Sequence, residues 1–394
     1  MKKLLLATAT LALSAGLASA EEVKIGLSLG FTGPLESLAP NMASGAELAV
    51  KEVSDSGKLL DGSTVTAVRA DNTCTDAAAS VAAVERLVTS DKVNGIMGGM
   101  CSGETIASLE RVGVPNGMVM ISPSATSPAL TDIEDQGFFF RTSPSDSRQG
   151  EVMADITLEH GIQSVAITYT NNDYGKGLAE SFKTAFEAKG GTVTMISAHD
   201  DGKADYSAEV GALAAAGGDA LAVVGYVDQG GSGVMRGVLD AGAFDTFVLP
   251  DGMVGQPVVD RFGTELEKSF GQNPAAEGEG RDKFVELAQA AGFDGTSAFA
   301  AESYDATALM LLAMQAAGSS DPRVYKDKVM EVANAPGEKI GPGDLARGLE
   351  LLAAGQDIDY DGASAVEFVE PGESAGTYRE VDFKGGTLNA VRTR

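Results

Sequence analysis

Two rhythms of apolar and polar positions alternate along this chain. Short apolar runs bounded by Gly, Pro or Asp read as buried strands, and stretches with apolar residues three and four apart read as helices. The first half predicts a strand at 23–29, a helix at 42–53 and a strand at 65–70. A helix carrying Val81, Val84, Leu87 and Val88 follows, then strands at 93–97 and 118–121 around a helical segment with Ile106, Leu109 and Val112. The alternation then restarts. Strands at 164–170, 192–196, 220–225 and 247–249 are separated by helices at about 175–189, 206–215 and 233–241. Each succession implies a mostly parallel sheet with helices on both faces. The polar stretch 142–149, punctuated by Pro144 after the apolar run 138–141, reads as a first crossing between two lobes. Past about residue 272 the pattern turns helical, notably at 298–317. It ends in a polar, Gly-rich tail, 357–386, with strand candidates near 366–368 and 380–383.

The fold class expected is therefore α/β, two doubly wound parallel-sheet lobes with a cleft between them. In such sheets ligands bind outside the carboxyl ends of the strands. The stretch 93–131 puts two loops of small hydroxyl residues at one such edge: Cys101-Ser102-Gly103-Glu104-Thr105, and Ser122-Pro123-Ser124-Ala125-Thr126-Ser127-Pro128. Ser102 stands where a helix N-cap is expected, so its hydroxyl and the nearby N–H groups suit a carboxylate. Thr126 either contacts a polar ligand or caps its own turn. In the second lobe, Asn172-Asp173-Tyr174-Gly175, Gly225-Tyr226 and Pro250-Asp251-Gly252 follow strands in the same way. Together they make a coherent receptor for a zwitterion, and singly each is a turn residue.

Composition narrows the picture. The 394 residues are 44% hydrophobic, enough for a large core, and carry a formal net charge of -27. That charge argues against nucleic acid or an anionic membrane as partner. Lys2-Lys3, the apolar run 4–13 and Ala18-Ser19-Ala20 have the form of a cleaved secretory signal peptide over residues 1–20. The apolar run is too short to span a bilayer, so a soluble, exported protein is expected. In an oxidising compartment the two cysteines, Cys74 and Cys101, read as one disulfide, with two free buried thiols as the alternative. Such a loop is worth roughly 3–4 kcal/mol in the chain-entropy model.

Other chemistry finds little support. Gly98-Gly99-Met100-Cys101-Ser102-Gly103 and Gly230-Gly231-Ser232-Gly233 lack the Lys-Ser/Thr of a phosphate-binding loop, and no G-x-G-x-x-G follows the first strand. The chain holds two histidines, His160 in a helix-like stretch and His199 in an acidic turn, and no G-x-S-x-G elbow. Neither a nucleophile–base pair nor a metal site is expected, and no cofactor.

The ordered motifs Gly33-Pro34-Leu35, Asp71-Asn72-Thr73-Cys74, Cys101-Ser102, Ile121-Ser122-Pro123 with Ala125-Thr126, Asn172-Asp173-Tyr174-Gly175, Pro250-Asp251-Gly252 and Ser303-Tyr304-Asp305-Ala306 resemble the periplasmic leucine/isoleucine/valine-binding proteins of ABC importers. The resemblance implies a type I periplasmic binding fold with three crossings, closing over its ligand by a hinge motion. It further implies a first lobe of 21–143 plus 275–350 and a second of 144–274 plus 351–394. By the same resemblance, Ser102, Thr126 and the main chain of Ser124 and Ala125 hold the α-carboxylate and amino group. Tyr174 and Tyr226 close from the second lobe, Asp251 meets the α-ammonium, and Phe299 lines the side-chain pocket. Leu38 replaces an aromatic ring that the family often places over the ligand, and Glu36 nearby would suit a polar or cationic side chain. Cys74 and Cys101 match the family's disulfide pair. The function implied is a non-enzymatic, monomeric, periplasmic receptor that passes an α-amino acid, aliphatic first, to a membrane permease. The alternatives are an amide, urea or aromatic acid as ligand, or a sensory subunit.

Overall fold

A computed structural model describes residues 21–394, so the expected signal peptide lies outside the described residues. The first sheet contains β1 (Glu22–Leu29), β2 (Thr64–Asp71), β3 (Gly95–Gly98), β4 (Met120–Ser122) and β5 (Phe139–Arg141) in parallel array. The second contains β6 (Ser164–Thr170), β7 (Thr192–His199), β8 (Ala220–Val224), β9 (Phe247–Leu249) and β10 (Phe270–Pro274), also parallel. A small parallel pair, β11 (Glu338–Ile340) and β12 (Ile358–Tyr360), stands apart. The tail supplies β13 (Phe368–Val369), β14 (Glu373–Ser374), β15 (Tyr378–Asp382) and β16 (Asn389–Thr393).

Both sheets have the same doubly wound order, β13-β14-β5-β4-β3-β1-β2 and β16-β15-β10-β9-β8-β6-β7. Burial explains the apolar runs. Val23, Ile25, Leu27 and Leu29 on β1 are fully buried, as is all of 220–224 on β8, because helices cover both faces of each sheet. The strand order reverses at β1/β3 in one lobe and β6/β8 in the other, and the loops leaving these strands face the cleft.

Three segments cross between the lobes: 142–145 after β5, 275–278 after β10, and 375–377 between β14 and β15. The second and third are tied together, Ala275 N donating to Thr377 O at 3.1 Å and Thr377 Oγ1 to Ala275 O at 2.7 Å. The lobes touch. Asp228 N donates to Pro34 O (3.1 Å), Ser37 N to Asp228 Oδ2 (2.9 Å) and Ser127 Oγ to Asp173 O (3.0 Å).

The structure corrects three expectations. The tail divides differently: β13 and β14 complete the first sheet, Glu373 pairing with Arg141, so 351–374 lies with the first lobe, not the second. Residue 272 does not begin a helical region. It sits inside β10, whose run FGQNP is buried despite its polar letters, and a helix starts only at Glu279. His199 ends β7 rather than lying in a turn; it is buried, with Nδ1 2.8 Å from Thr168 Oγ1, and burial pushes its pKa down to about 4.

Candidate ligand-binding site

The loop after β3 turns into the helix Ser102–Ser108, which continues helically to residue 116. Cys101, not Ser102, is the N-cap, and its N–H is taken by Glu104 Oε1 at 2.5 Å. Ser102 is therefore the first helical residue, buried, with the N-terminal dipole behind it. Its Oγ accepts from Ser127 N at 3.1 Å, which leaves its O–H available to a ligand carboxylate. The Cys74–Cys101 disulfide, with Cα atoms 5.3 Å apart, anchors this loop to the one leaving β2.

The loop after β4 is held from beneath. Ser122 Oγ accepts from Ala125 N (2.9 Å) and, more weakly, Ser124 N (3.3 Å). Ser124 Oγ donates to Met100 O at 2.7 Å. The guanidinium of Arg141, 1% exposed at the end of β5, donates to Ala125 O (3.2 Å) and Ser127 O (2.9 Å), and is neutralised by Glu373. Thr126 O accepts from Asp146 N at 2.8 Å. The Thr126 hydroxyl lies close enough to Asp146 to favour its ionised form, yet completes no hydrogen bond; Thr126 Oγ1 and Asp146 Oδ2 are both buried and unpartnered.

The second lobe brings Tyr174, Tyr226 and Asp251 to the same place. Asn172 caps the helix Asp173–Ala188, accepting from Gly175 N at 2.9 Å, and so sets Tyr174 in its first turn. The Tyr174 and Tyr226 rings stack with centroids 5.2 Å apart. Tyr174 Oη donates to Asp251 Oδ1 at 2.6 Å, and Gly252 N donates to the same oxygen at 2.8 Å. Gln149 bridges the two acids when its amide faces its partners, Nε2 donating to Asp146 Oδ1 (2.8 Å) and Oε1 accepting from Asp251 N (3.3 Å).

Burial and the neighbouring Asp251 push the Asp146 carboxyl well above the usual carboxylate range, with Arg141 pulling against them. Burial likewise raises Asp251, opposed by the Tyr174 hydroxyl and Gly252 N–H. The pair therefore resists double ionisation until a cation joins it. Burial also raises both tyrosines well above their ordinary range, so Tyr174 keeps its proton and stays a donor.

Ser102, Ser124, Ala125, Thr126, Tyr174, Tyr226 and Asp251 thus belong to one constellation between the lobes. Leu38 and Phe299 stand to one side of it. Leu38, just before the helix Ala39–Ser56, and Ala298, next to Phe299, line a separate space along the lobe seam. Phe299 is buried with a left-handed φ of 62° at the start of the helix Ala300–Ala317. Sequence reasoning missed Asp146, Gln149 and Arg141. Two signals could have found them: an arginine ending the all-apolar run at 138–140, and an acid inside the crossing segment 142–149. Among the described residues, Cys74, Cys101 and Glu104 cluster within 4.8 Å, but both sulfurs are spent in the disulfide, so they offer no metal site.

Comparison with known proteins agrees with this architecture. A family model described as periplasmic binding protein matches residues 22–337. The Leu/Ile/Val-binding protein homolog 1 of Brucella melitensis is 30% identical over 346 residues, 86% of each chain. The branched-chain amino acid transporter substrate-binding protein LivJ of Streptococcus pneumoniae, solved with isoleucine, superposes with a TM-score of 0.79 at 22% identity, covering 95% of this chain and 99% of its own. A solute-binding protein of an ABC transporter from Rhodopseudomonas palustris, solved with p-hydroxybenzoic acid, gives 0.75 at 19% identity over 95% and 97%. At these identities the solved structures establish the shared fold. With the family match over most of its length, the chain belongs to the periplasmic binding protein family.

Proposed function

We propose that this protein is the extracytoplasmic solute-binding component of an ABC importer. It closes two lobes over an α-amino acid and presents the closed form to a membrane permease. The observation that carries the reading is the buried Asp146–Asp251 pair facing the unpartnered Thr126 hydroxyl, with a helix N-terminus at Ser102 in the same constellation. One end suits an ammonium and the other a carboxylate, the two charges of an α-amino acid. The branched-chain and other aliphatic amino acids are the first ligands to test, on the apolar Leu38 and Phe299 and on the name of the Brucella relative. An aromatic acid is the second reading, from the Rhodopseudomonas neighbour. It fits less well, because an anion without an ammonium leaves two buried carboxyls unanswered.

In this reading the crossings at 142–145, 275–278 and 375–377 are the hinge. The protein works as a periplasmic monomer after loss of residues 1–20, and it binds without catalysing a reaction. No helix among the described residues is long and apolar enough to cross a membrane. A thermal-shift screen of residues 21–394 against amino acids, amides and aromatic acids tests it. A ligand at a hundred times its Kd adds about 2.7 kcal/mol and moves Tm by a few degrees. A shift with leucine, isoleucine or valine is expected. A shift only with an acid or amide lacking an ammonium would overturn the amino-acid assignment.

A further inference from the structure

A second space lies along the seam, with a volume of about 310 Å³, walled by both lobes. Its apolar lining includes Leu38 and Ala298 from one lobe and Val254 from the other. It comes near the constellation through Val254, whose N donates to Asp251 O at 3.3 Å. Aliphatic contacts alone would make this an ordinary apolar pocket. Two polar residues change its character.

Asn273 on β10 and Arg379 on β15 are direct partners across the antiparallel ladder, so their side chains share a face, and both line the space. Asn273 is 3% exposed; its Nδ2 donates to Pro274 O at 3.0 Å and its Oδ1 is unpartnered, so the free donor on this face is Arg379. Arg379 Nε is buried and equally unpartnered, and among the described residues no carboxylate lies within 4 Å of the guanidinium. Every other charge near it acts from further away: Arg281 repels, while Glu302 and Glu277 attract without forming an ion pair. Asp260 and Asp294 also line the space and are exposed, each hydrogen-bonded to a neutral neighbour that lines it too. Asp260 accepts from Gln256 Nε2 at 2.7 Å, and Asp294 accepts from Thr296 N and Oγ1 at 2.9 and 2.6 Å. A half-buried guanidinium held without a counter-ion is expensive, and its fork geometry matches a carboxylate.

We propose that this pocket is a subsite for a carboxylate borne on the ligand's side chain, gripped by Arg379, so that the cleft takes acidic α-amino acids as well as aliphatic ones. The proposal rests on the amino-acid reading above and extends it. In this reading an aliphatic side chain leaves Arg379 unanswered, whereas the side-chain carboxylate of glutamate or of 2-aminoadipate, one methylene longer, would pair with the guanidinium.

Titration calorimetry with L-leucine, L-glutamine, L-glutamate and L-2-aminoadipate tests this on the wild type and on Arg379→Gln and Arg379→Lys. Expected are binding of at least one acidic amino acid, at least tenfold tighter than glutamine, and a tenfold or greater loss in Arg379→Gln. Arg379→Lys should recover part of that loss, with leucine affinity changed less than twofold in either variant. The wild-type comparison of glutamate with glutamine stands even if a variant fails to fold. Leucine binding without either acid, or equal losses for leucine and the acid in Arg379→Gln, would overturn the subsite and leave the amino-acid reading intact. Binding of no amino acid at all would overturn both.

Discussion

Replacing Asp251 with Asn separates the two roles assigned to this carboxyl. The substitution preserves shape: Asn Oδ1 can still accept from Tyr174 Oη and Gly252 N, which lie 2.6 and 2.8 Å from the native oxygen. What disappears is the negative charge opposite the ligand's ammonium. Truncating one partner of a buried charge pair loses about 2–5 kcal/mol, or roughly 30- to 4,000-fold in Kd. Asp146 keeps its own carboxyl in the same space, so the lower half of that range is expected, roughly 30- to 300-fold. Without ligand the effect runs the other way. Burial raises the Asp251 pKa in the folded state, so between about pH 4 and that raised value the folded protein holds more protons than the unfolded chain. Stability therefore falls as pH rises through this window, by about 1.4 kcal/mol for each pH unit the window spans. Asp251→Asn removes the penalty. The ligand-free variant should melt above wild type at pH 7.5, and the gap should close towards pH 4. Calorimetry for Kd and a melting series from pH 4 to 8 read both limbs. An unchanged Kd would mean that Asp251 does not face the ligand. A lower ligand-free Tm at pH 7.5 would mean that its charge supports the fold instead of straining it.

Three further outcomes follow from other parts of the molecule. A Cβ on Gly177 would stand 2.7 Å from Pro128 Cδ and 3.2 Å from Ser127 Oγ across the cleft, so Gly177→Val should wedge the lobes apart. It should weaken ligand at least tenfold and leave a larger radius of gyration by X-ray scattering with ligand present; unchanged affinity would refute the closed contact. The Cys74–Cys101 bond spans 27 residues, and its reduction should lower stability by about 3.5 kcal/mol in the chain-entropy model, seen as an earlier denaturant midpoint. His199, depressed to about 4, is held neutral, so its contribution to stability is lost as pH falls from about 6.5 towards 4, by about 3 kcal/mol in all. His199→Gln should lose that part of the slope, and a variant with the wild-type pH profile would count against it.

The strands with unbroken apolar runs were legible because both faces of each sheet are covered, so β1 and β8 announce themselves by letters alone. Their strand-end loops were legible with them, which placed Ser102, Thr126, Tyr174, Tyr226 and Asp251 at the cleft. β10 was not legible, because Gln272 and Asn273 put polar letters at buried strand positions and break the apolar run that marks the other strands. The tail misled for a related reason. A two-residue strand such as β13 or β14 carries no period, and which sheet receives it depends on long-range pairing of Glu373 with Arg141. Asp146 was hidden by context. An acid in a Pro-punctuated crossing looks solvated, and only the folded arrangement shows it fully buried beside a second acid.

The interleaving of the tail has a consequence for how the chain comes to be folded. The first sheet takes β14 from residues 373–374, and the second takes β15 and β16 from residues 378–393. Neither lobe corresponds to a contiguous stretch: the first sheet is complete only when the chain has been made through residue 374, and the second only through residue 393. Contacts of such long sequence separation form late and slowly. A growing chain therefore remains without its final edge strands until the tail is made. In this topology the strands that finish the two walls of the ligand cleft are the last of the chain to be synthesised.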